Sequence, residues 1–399
     1  MARKPSPKPP RETVVRAPEP PPVQAPIALS SVLGQDRGVS ILTSAIASAR
    51  VHHAWIFEGP LGVGKFTAAL AFAAMILDET TQPGLSGGLA PDPDSRVQRL
   101  LRAGTHPDLA VITKELARFH EDKEIRDRKQ SSIPVEVVRQ FMLEPGRLAP
   151  QIPGASIAGR VFIVDEAEML GPPAQNALLK FLEEPPPRTV LILVTSNPSQ
   201  LLMTIRSRCQ RVAFGLLPPK AMRQWLSEHK DLAIDDRQRD FLLDFCAGAP
   251  GGVLQAHATG IGAWWERLQP LLAQAEGGRH SVELGPAMSE LVDAWAKAWV
   301  EARDDASKEA ANRLGAEWML RLLAWHARQR VTQAMGRAPA SHLERAMHAI
   351  DLIREAEAAL DANVAMLFVF DRLSAMLAAG PEGERHAMHA GPAGTGSRA

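Results

Sequence analysis

The chain has 399 residues, 45% of them hydrophobic, and its 45 Lys and Arg are balanced by 45 Asp and Glu. That length gives room for two or three domains with a sizeable core, and zero net charge excludes a global field drawing the chain onto nucleic acid or membrane. Two cysteines rule out a disulfide framework and a four-cysteine zinc site; with no apolar leader and no run of about 18 apolar residues, the expectation is a soluble cytoplasmic protein.

Residues 1–27 are rich in Pro, with Arg and Lys interspersed and little that can pack, which predicts a disordered arm. From Leu29 the pattern turns helical, with Val39, Leu42 and Ile46 on one face, and Trp55 to Phe57 reads as the first strand of a sheet. His52 and His53 in front of it read as surface or packing residues rather than ligands. The strand runs into GPLGVGKFT, Gly59 to Thr67, and then into an Ala-rich helix ending near Leu77. Gly59, Gly64 and Lys65 match the phosphate-loop pattern GxxxxGK[ST]. Its glycines, Gly62 included, let backbone N–H groups wrap a phosphate, while the helix N-terminus adds its dipole and Lys65 a charge. Phe66 stands where the pattern has a metal-binding hydroxyl. Thr67 is next to it but points about 100° away on a helix, which makes it a poor replacement.

Residues 80–95 form a Gly/Pro-rich surface excursion, Val97 to Arg102 a short helix, and Leu109 to Ile112 a strand entered through a turn at His106. The dense charges of 114–132, among them Arg118, Arg126, Arg128 and Lys129, predict a solvated face. An amphipathic helix over Val135 to Met142 and a loop from Pro145 to Gly159 follow. Val161 to Val164 then reads as a buried parallel strand ending on Asp165 and Glu166. Carboxylates at that point lie in the crevice where open α/β sheets bind ligands, Asp165 placed to hold Mg²⁺ and Glu166 to orient a water. A helix to Glu184 is stopped by Pro185 to Pro187, and a second strand, Val190 to Val194, delivers Thr195, Ser196 and Asn197 to the same crevice. Arg211 to Phe214 closes the sheet. Beyond Pro218 the pattern is helical throughout: a small region with helices Ala221 to Glu228 and Arg237 to Ala247 ending at the Gly248 to Gly252 cluster, then five amphipathic helices between Trp264 and Leu377. The tail after Gly380 is expected to be disordered.

NALLKFLEEPP (Asn176 to Pro186) followed by TIRSRC (Thr204 to Cys209) resembles the clamp-loader subunits of bacterial DNA polymerase III, a family of AAA+ proteins, and within it the delta-prime type. The resemblance implies an α/β P-loop AAA+ domain, a parallel sheet flanked by helices, over 28–215, a small helical lid over 216–258 and an all-α collar over 262–378, with 379–399 as a tail. It also implies Gly59, Gly62, Gly64, Lys65, Thr67 and Asn197 as nucleotide contacts, Asp165 and Glu166 as Walker B acids, and Arg208 as an arginine finger reaching a neighbouring subunit's ATP. The implied partners are gamma/tau and delta subunits in a hetero-oligomer, a sliding clamp and primer-template DNA, with no membrane. Phe66 removes the metal-binding hydroxyl, Gly252 stands where active relatives carry a sensor 2 Arg, and the cysteines of the family's zinc module are absent. ATP and Mg²⁺ therefore remain open as cofactors, zinc is not expected, and the first reading is a subunit without its own hydrolysis. The alternative is an active motor of gamma/tau type, favoured by Asp165 and Glu166 and opposed by Phe66 and Gly252.

Overall fold

A computed structural model describes residues 21–83, 88–127, 132–279, 281–302, 307–335 and 339–389, and the chain divides into two compact units: 1–228 with 248–251, and 229–247 with 252–399. Most of the Pro-rich arm, Arg128 and Lys129, and the end of the tail lie outside the described residues.

The first unit is built on a sheet of five parallel strands, β1 (Ala54–Glu58), β2 (Leu109–Ile112), β3 (Arg160–Val164), β4 (Thr189–Thr195) and β5 (Gln210–Ala213), in the spatial order β2-β3-β4-β1-β5. Val164 pairs with Leu193, Glu58 with Thr195, and Glu58 with Ala213, so the carboxyl ends of β3, β4, β1 and β5 share one edge. β3 and β4 are buried along their whole length, which explains why both read as unbroken apolar runs. Helices α1 (Asp36–Ala47), α2 (Lys65–Ile76), α3 (Arg96–Arg102), α4 (Pro172–Glu183) and α5 (Pro219–Glu228) are its longer helices, and the helix expected over Val135 to Met142 is α-helical only over Val135–Val138 before it widens to a π-helix over Arg139–Leu143. Ten of the twelve residues of α2 are buried, as its Ala-rich sequence requires of a helix wedged against the sheet. This is the helix-flanked parallel sheet of the AAA+ expectation.

The second unit is all-helical among its described residues, with α6 (Asp236–Cys246), α7 (Pro250–Thr259, beginning in the first unit), α8 (Ile261–Glu276), α9 (Leu284–Glu301), α10 (Lys308–Ala334), α11 (Ala340–Asp361) and α12 (Met366–His389, broken at Gly380). Phe241 packs against Trp265 and Trp325, with ring centroids 6.3 and 5.1 Å apart, and Trp325 donates to Asp244 at 2.9 Å. Gly315 lets α10 approach α9, since a Cβ there would meet Val292 at 2.8 Å.

Four expectations need correction. The tail does not lose its structure at Gly380: beyond the break there, helix continues to His389. Helix does not begin at Leu29: a single 3₁₀ turn, Leu29–Ser31, precedes α1. The Gly248 to Gly252 cluster does not close a helical region; Pro250 opens α7, where a missing N–H costs nothing. The described end of the arm is not free of the body, because Val23 N donates to Gly104 O at 3.1 Å. Gly104, at φ 69°, has no Cβ to keep that segment away.

One buried ion pair fixes the amino ends of β2 and β3. Asp108, with a fully buried side chain, accepts from Arg160 Nη2 at 2.8 Å and from the backbone N–H groups of Gln151 and Ile152, each at 2.8 Å. Arg160 in turn donates to the carbonyls of Leu148 and Ala149, so the 145–152 loop is wound around the pair. Asp108→Ala strands a buried guanidinium and two N–H groups and is expected to cost about 3–5 kcal/mol in urea unfolding. A loss below about 1 kcal/mol would show that the pair is dispensable.

Candidate functional site

The loop between β1 and α2 is shaped by positions that tolerate only glycine. A Cβ at Gly59 would collide with the Phe214 carbonyl, and Gly59, Gly62 and Gly64 have φ of 145°, 76° and 95°. Gln35, buried at the head of α1, holds the loop from behind: its amide donates to Val63 O at 3.2 Å and Gly215 O at 2.7 Å and accepts from Gly215 N at 3.0 Å. Gly251 N donates to Gly62 O at 2.8 Å.

Lys65 is only 5% exposed, and its ammonium donates to Gly59 O at 2.8 Å, Pro60 O at 2.6 Å and Ser196 Oγ at 3.2 Å. An ammonium has three donors, and all three are engaged by the protein itself. Burial lowers the Lys65 pKa, with the carboxylates of Glu168 and Asp165 acting in the other direction. The sequence pointed to neither Ser196 as the partner of Lys65 nor Glu168. Glu168 accepts from Ser196 N at 3.0 Å, which orients the end of β4, while its other oxygen is buried without a hydrogen-bond partner among the described residues. Only the polar Thr195 to Asn197 triplet at a strand end hinted at this. Asn197 itself is exposed and accepts from Ser199 at 2.5 Å. Phe66 and Thr67 are half-buried in the first turn of α2, and Gly252 lies in the first turn of α7.

The two adjacent acids part company. Asp165 stays beside Lys65 and accepts from Glu166 N at 3.0 Å. Glu166 takes φ 48°, a left-handed conformation that costs a residue with a side chain about 1–2 kcal/mol, and its carboxylate is held by Lys114 at 2.8 Å.

Arg208 lies elsewhere. It follows the short helix Met203–Arg206 and precedes β5, whose Gln210 pairs with Trp55 near the start of β1. It therefore sits at the amino ends of the strands, opposite the edge that carries Lys65 and Asp165. Arg208 Nη1 donates to Thr204 O at 3.0 Å and Nη2 to Glu183 Oε1 at 2.9 Å, beside an open cleft of about 490 Å³ that His53 and Cys209 also line. Burial pushes the Cys209 thiol up to about 12, so this cysteine is a packing residue and not a nucleophile. Gln175, buried in α4, sets the approach to this segment by donating to Gln200 O at 3.1 Å and accepting from Leu202 N at 2.8 Å.

Burial pushes Asp165 up from 3.8 to about 6, the repulsion of Glu166 adding to it and Lys65 opposing it. A carboxyl that holds its proton more tightly folded than unfolded contributes its full stability below about pH 4 and loses it as pH rises through 6, where ionisation costs up to roughly 3 kcal/mol. Asp165→Asn keeps the acceptor for Glu166 N. It is expected to stabilise the chain by about 2 kcal/mol near pH 8, because it removes the cost of ionising a buried carboxyl, and by almost nothing near pH 4. Urea unfolding across that range measures it; a variant less stable at every pH would contradict the assignment.

Residues 34–217 match the family model described as DNA polymerase III, delta subunit. The chain is 33% identical to the delta' subunit of Pseudomonas aeruginosa over 245 residues, 61% of this chain and 65% of that one. It is 32% identical to the Bacillus subtilis delta' subunit over 194 residues, 49% of this chain and 51% of that one. With the gamma/tau subunit of Mycobacterium bovis it shares 29% over 237 residues, 57% of this chain and 36% of that one. The chain thus spans between about a third and two thirds of the length of these relatives. The matched module is the same one that carries the phosphate loop, the acids of β3 and Arg208, and over it the chain is similar to the clamp-loader subunits of DNA polymerase III.

Proposed function

We propose that this chain is a clamp-loader subunit that does not turn over ATP itself and that supplies Arg208 to the ATP site of an adjacent subunit. The observation that carries this reading is the separation of Arg208 from the chain's own phosphate loop. β1 has five residues, so the loop after it and the residues level with its start are about 16 Å apart. A guanidinium at the amino end of the sheet cannot serve a phosphate at the carboxyl end of the same sheet, whereas it is exposed to a neighbour.

The chain's own crevice does not fit a hydrolysing Mg²⁺–ATP site. Phe66 has no oxygen for a metal, each donor of Lys65 already has an acceptor, and the carboxylate of Glu166 is bound to Lys114. An anion entering the loop has to displace at least one bond of a buried ammonium. The same features oppose the gamma/tau-type motor. Asp165 and Glu166, the residues in its favour, are here turned to internal partners. The assembly served is a hetero-oligomer with gamma/tau and delta subunits that places a sliding clamp on primer-template DNA.

Arg208→Ala is expected to leave the isolated chain folded, since an exposed ion pair contributes about 1 kcal/mol or less. Assembled with ATPase partners, the variant is expected to lower turnover at the adjoining site by at least roughly tenfold, with Arg208→Lys rescuing poorly because one ammonium cannot reproduce a planar fork. Steady-state ATP hydrolysis of the complex, with assembly checked by gel filtration, measures this. Wild-type turnover by the assembled Ala variant would contradict the role in trans.

A further inference from the structure

Arg208 is held by a residue whose position is poorly explained by stability. Glu183 is the last residue of α4, and Glu184 follows it before the three prolines. A carboxylate at a helix C-terminus is opposed by the helix dipole, which favours cations there. Its pair with Arg208 has side chains 53% and 37% exposed, and ion pairs so exposed add little to stability. The surroundings of Glu183, by contrast, are fixed. His53 Nε2 donates to the Leu182 carbonyl at 3.1 Å, tying the end of α4 to the start of β1. Thr204 O, from the short helix just before Arg208, takes one guanidinium N–H and Glu183, from the end of α4, takes a second. These two bonds use two of the five N–H groups of the guanidinium and leave three for an anion.

We propose that Glu183 is the positioning residue of the Arg208 guanidinium, holding it in one orientation toward the phosphate oxygens of a nucleotide bound by the adjacent subunit. The inference rests on the reading of Arg208 given above and adds the carboxylate that aims it. Without Glu183 the long side chain is left with one backbone acceptor and must be ordered by the nucleotide itself, at an entropic cost that appears in the rate.

The test uses the full chain assembled with its ATPase partners and compares Glu183→Ala, Glu183→Gln, Arg208→Ala and the Glu183→Ala/Arg208→Ala double variant. Glu183→Ala is expected to melt no lower than wild type as an isolated chain, yet to reduce kcat of the complex roughly tenfold with KM unchanged. Glu183→Gln, which keeps an oxygen acceptor, is expected to fall in between, and the double variant to be no slower than Arg208→Ala alone. If Arg208→Ala is slow but Glu183→Ala runs at the wild-type rate or faster, the positioning role is overturned and Arg208 keeps its own. A double variant slowed by the product of the two single effects overturns it as well, because Glu183 then acts independently. Wild-type turnover by Arg208→Ala removes the reading of Arg208 and this inference with it.

Discussion

The crevice of this protein depends on the burial of one positive charge. An ammonium as enclosed as that of Lys65 is tolerated only with its donors satisfied, and Gly59 O, Pro60 O and Ser196 Oγ satisfy them from two different strand ends. The glycine loop after β1 is thereby tied to the end of β4, Glu168 fixes the backbone of Ser196, and Asp165 adds a second carboxylate nearby. The charge that the loop carries is here held by the loop's own carbonyls and by Ser196. Gln35 behind the loop and Gly251 on Gly62 hold it in that shape.

A parallel sheet separates its two edges, and the chemistry separates with them. The carboxyl edge holds the self-contained cluster around Lys65. The amino edge, fixed by the buried Asp108–Arg160 pair at β2 and β3 and by His53 at β1, carries Arg208 with its guanidinium half in solvent. α4 connects the two, beginning beside the acids that follow β3 and ending in the carboxylate that grips Arg208. The helical unit contributes close-packed helices, in which Gly315 and the Phe241–Trp265–Trp325 cluster set the approach of neighbouring elements.

Much of this was legible in the residues. Strands β1, β3 and β4 announce themselves as apolar runs, the phosphate loop by its glycines, and the separation of Arg208 from Lys65 follows once the strands are parallel. Side-chain pairings were not legible, because they depend on register and on turns of the backbone at single residues. That Ser196 and not Asn197 faces Lys65 depends on how the chain leaves β4, and that Glu166 turns to Lys114 depends on a left-handed φ at Glu166 itself. Asp108 and Arg160, about fifty positions apart, carried no periodic signal. α7 was hidden because Pro250 with two glycines has the composition of a turn, although Pro is well suited to a helix's first position.

The measurement that reaches the central claim most directly is equilibrium binding of Mg²⁺–ATP by the isolated chain, followed by calorimetry. A loop whose lysine is already satisfied by its own protein should show no saturable binding up to nucleotide concentrations of about 1 mM. Stoichiometric binding with a Kd of about 10 μM or tighter, abolished by Lys65→Ala, would contradict a self-contained crevice and make the chain a nucleotide-binding subunit in its own right.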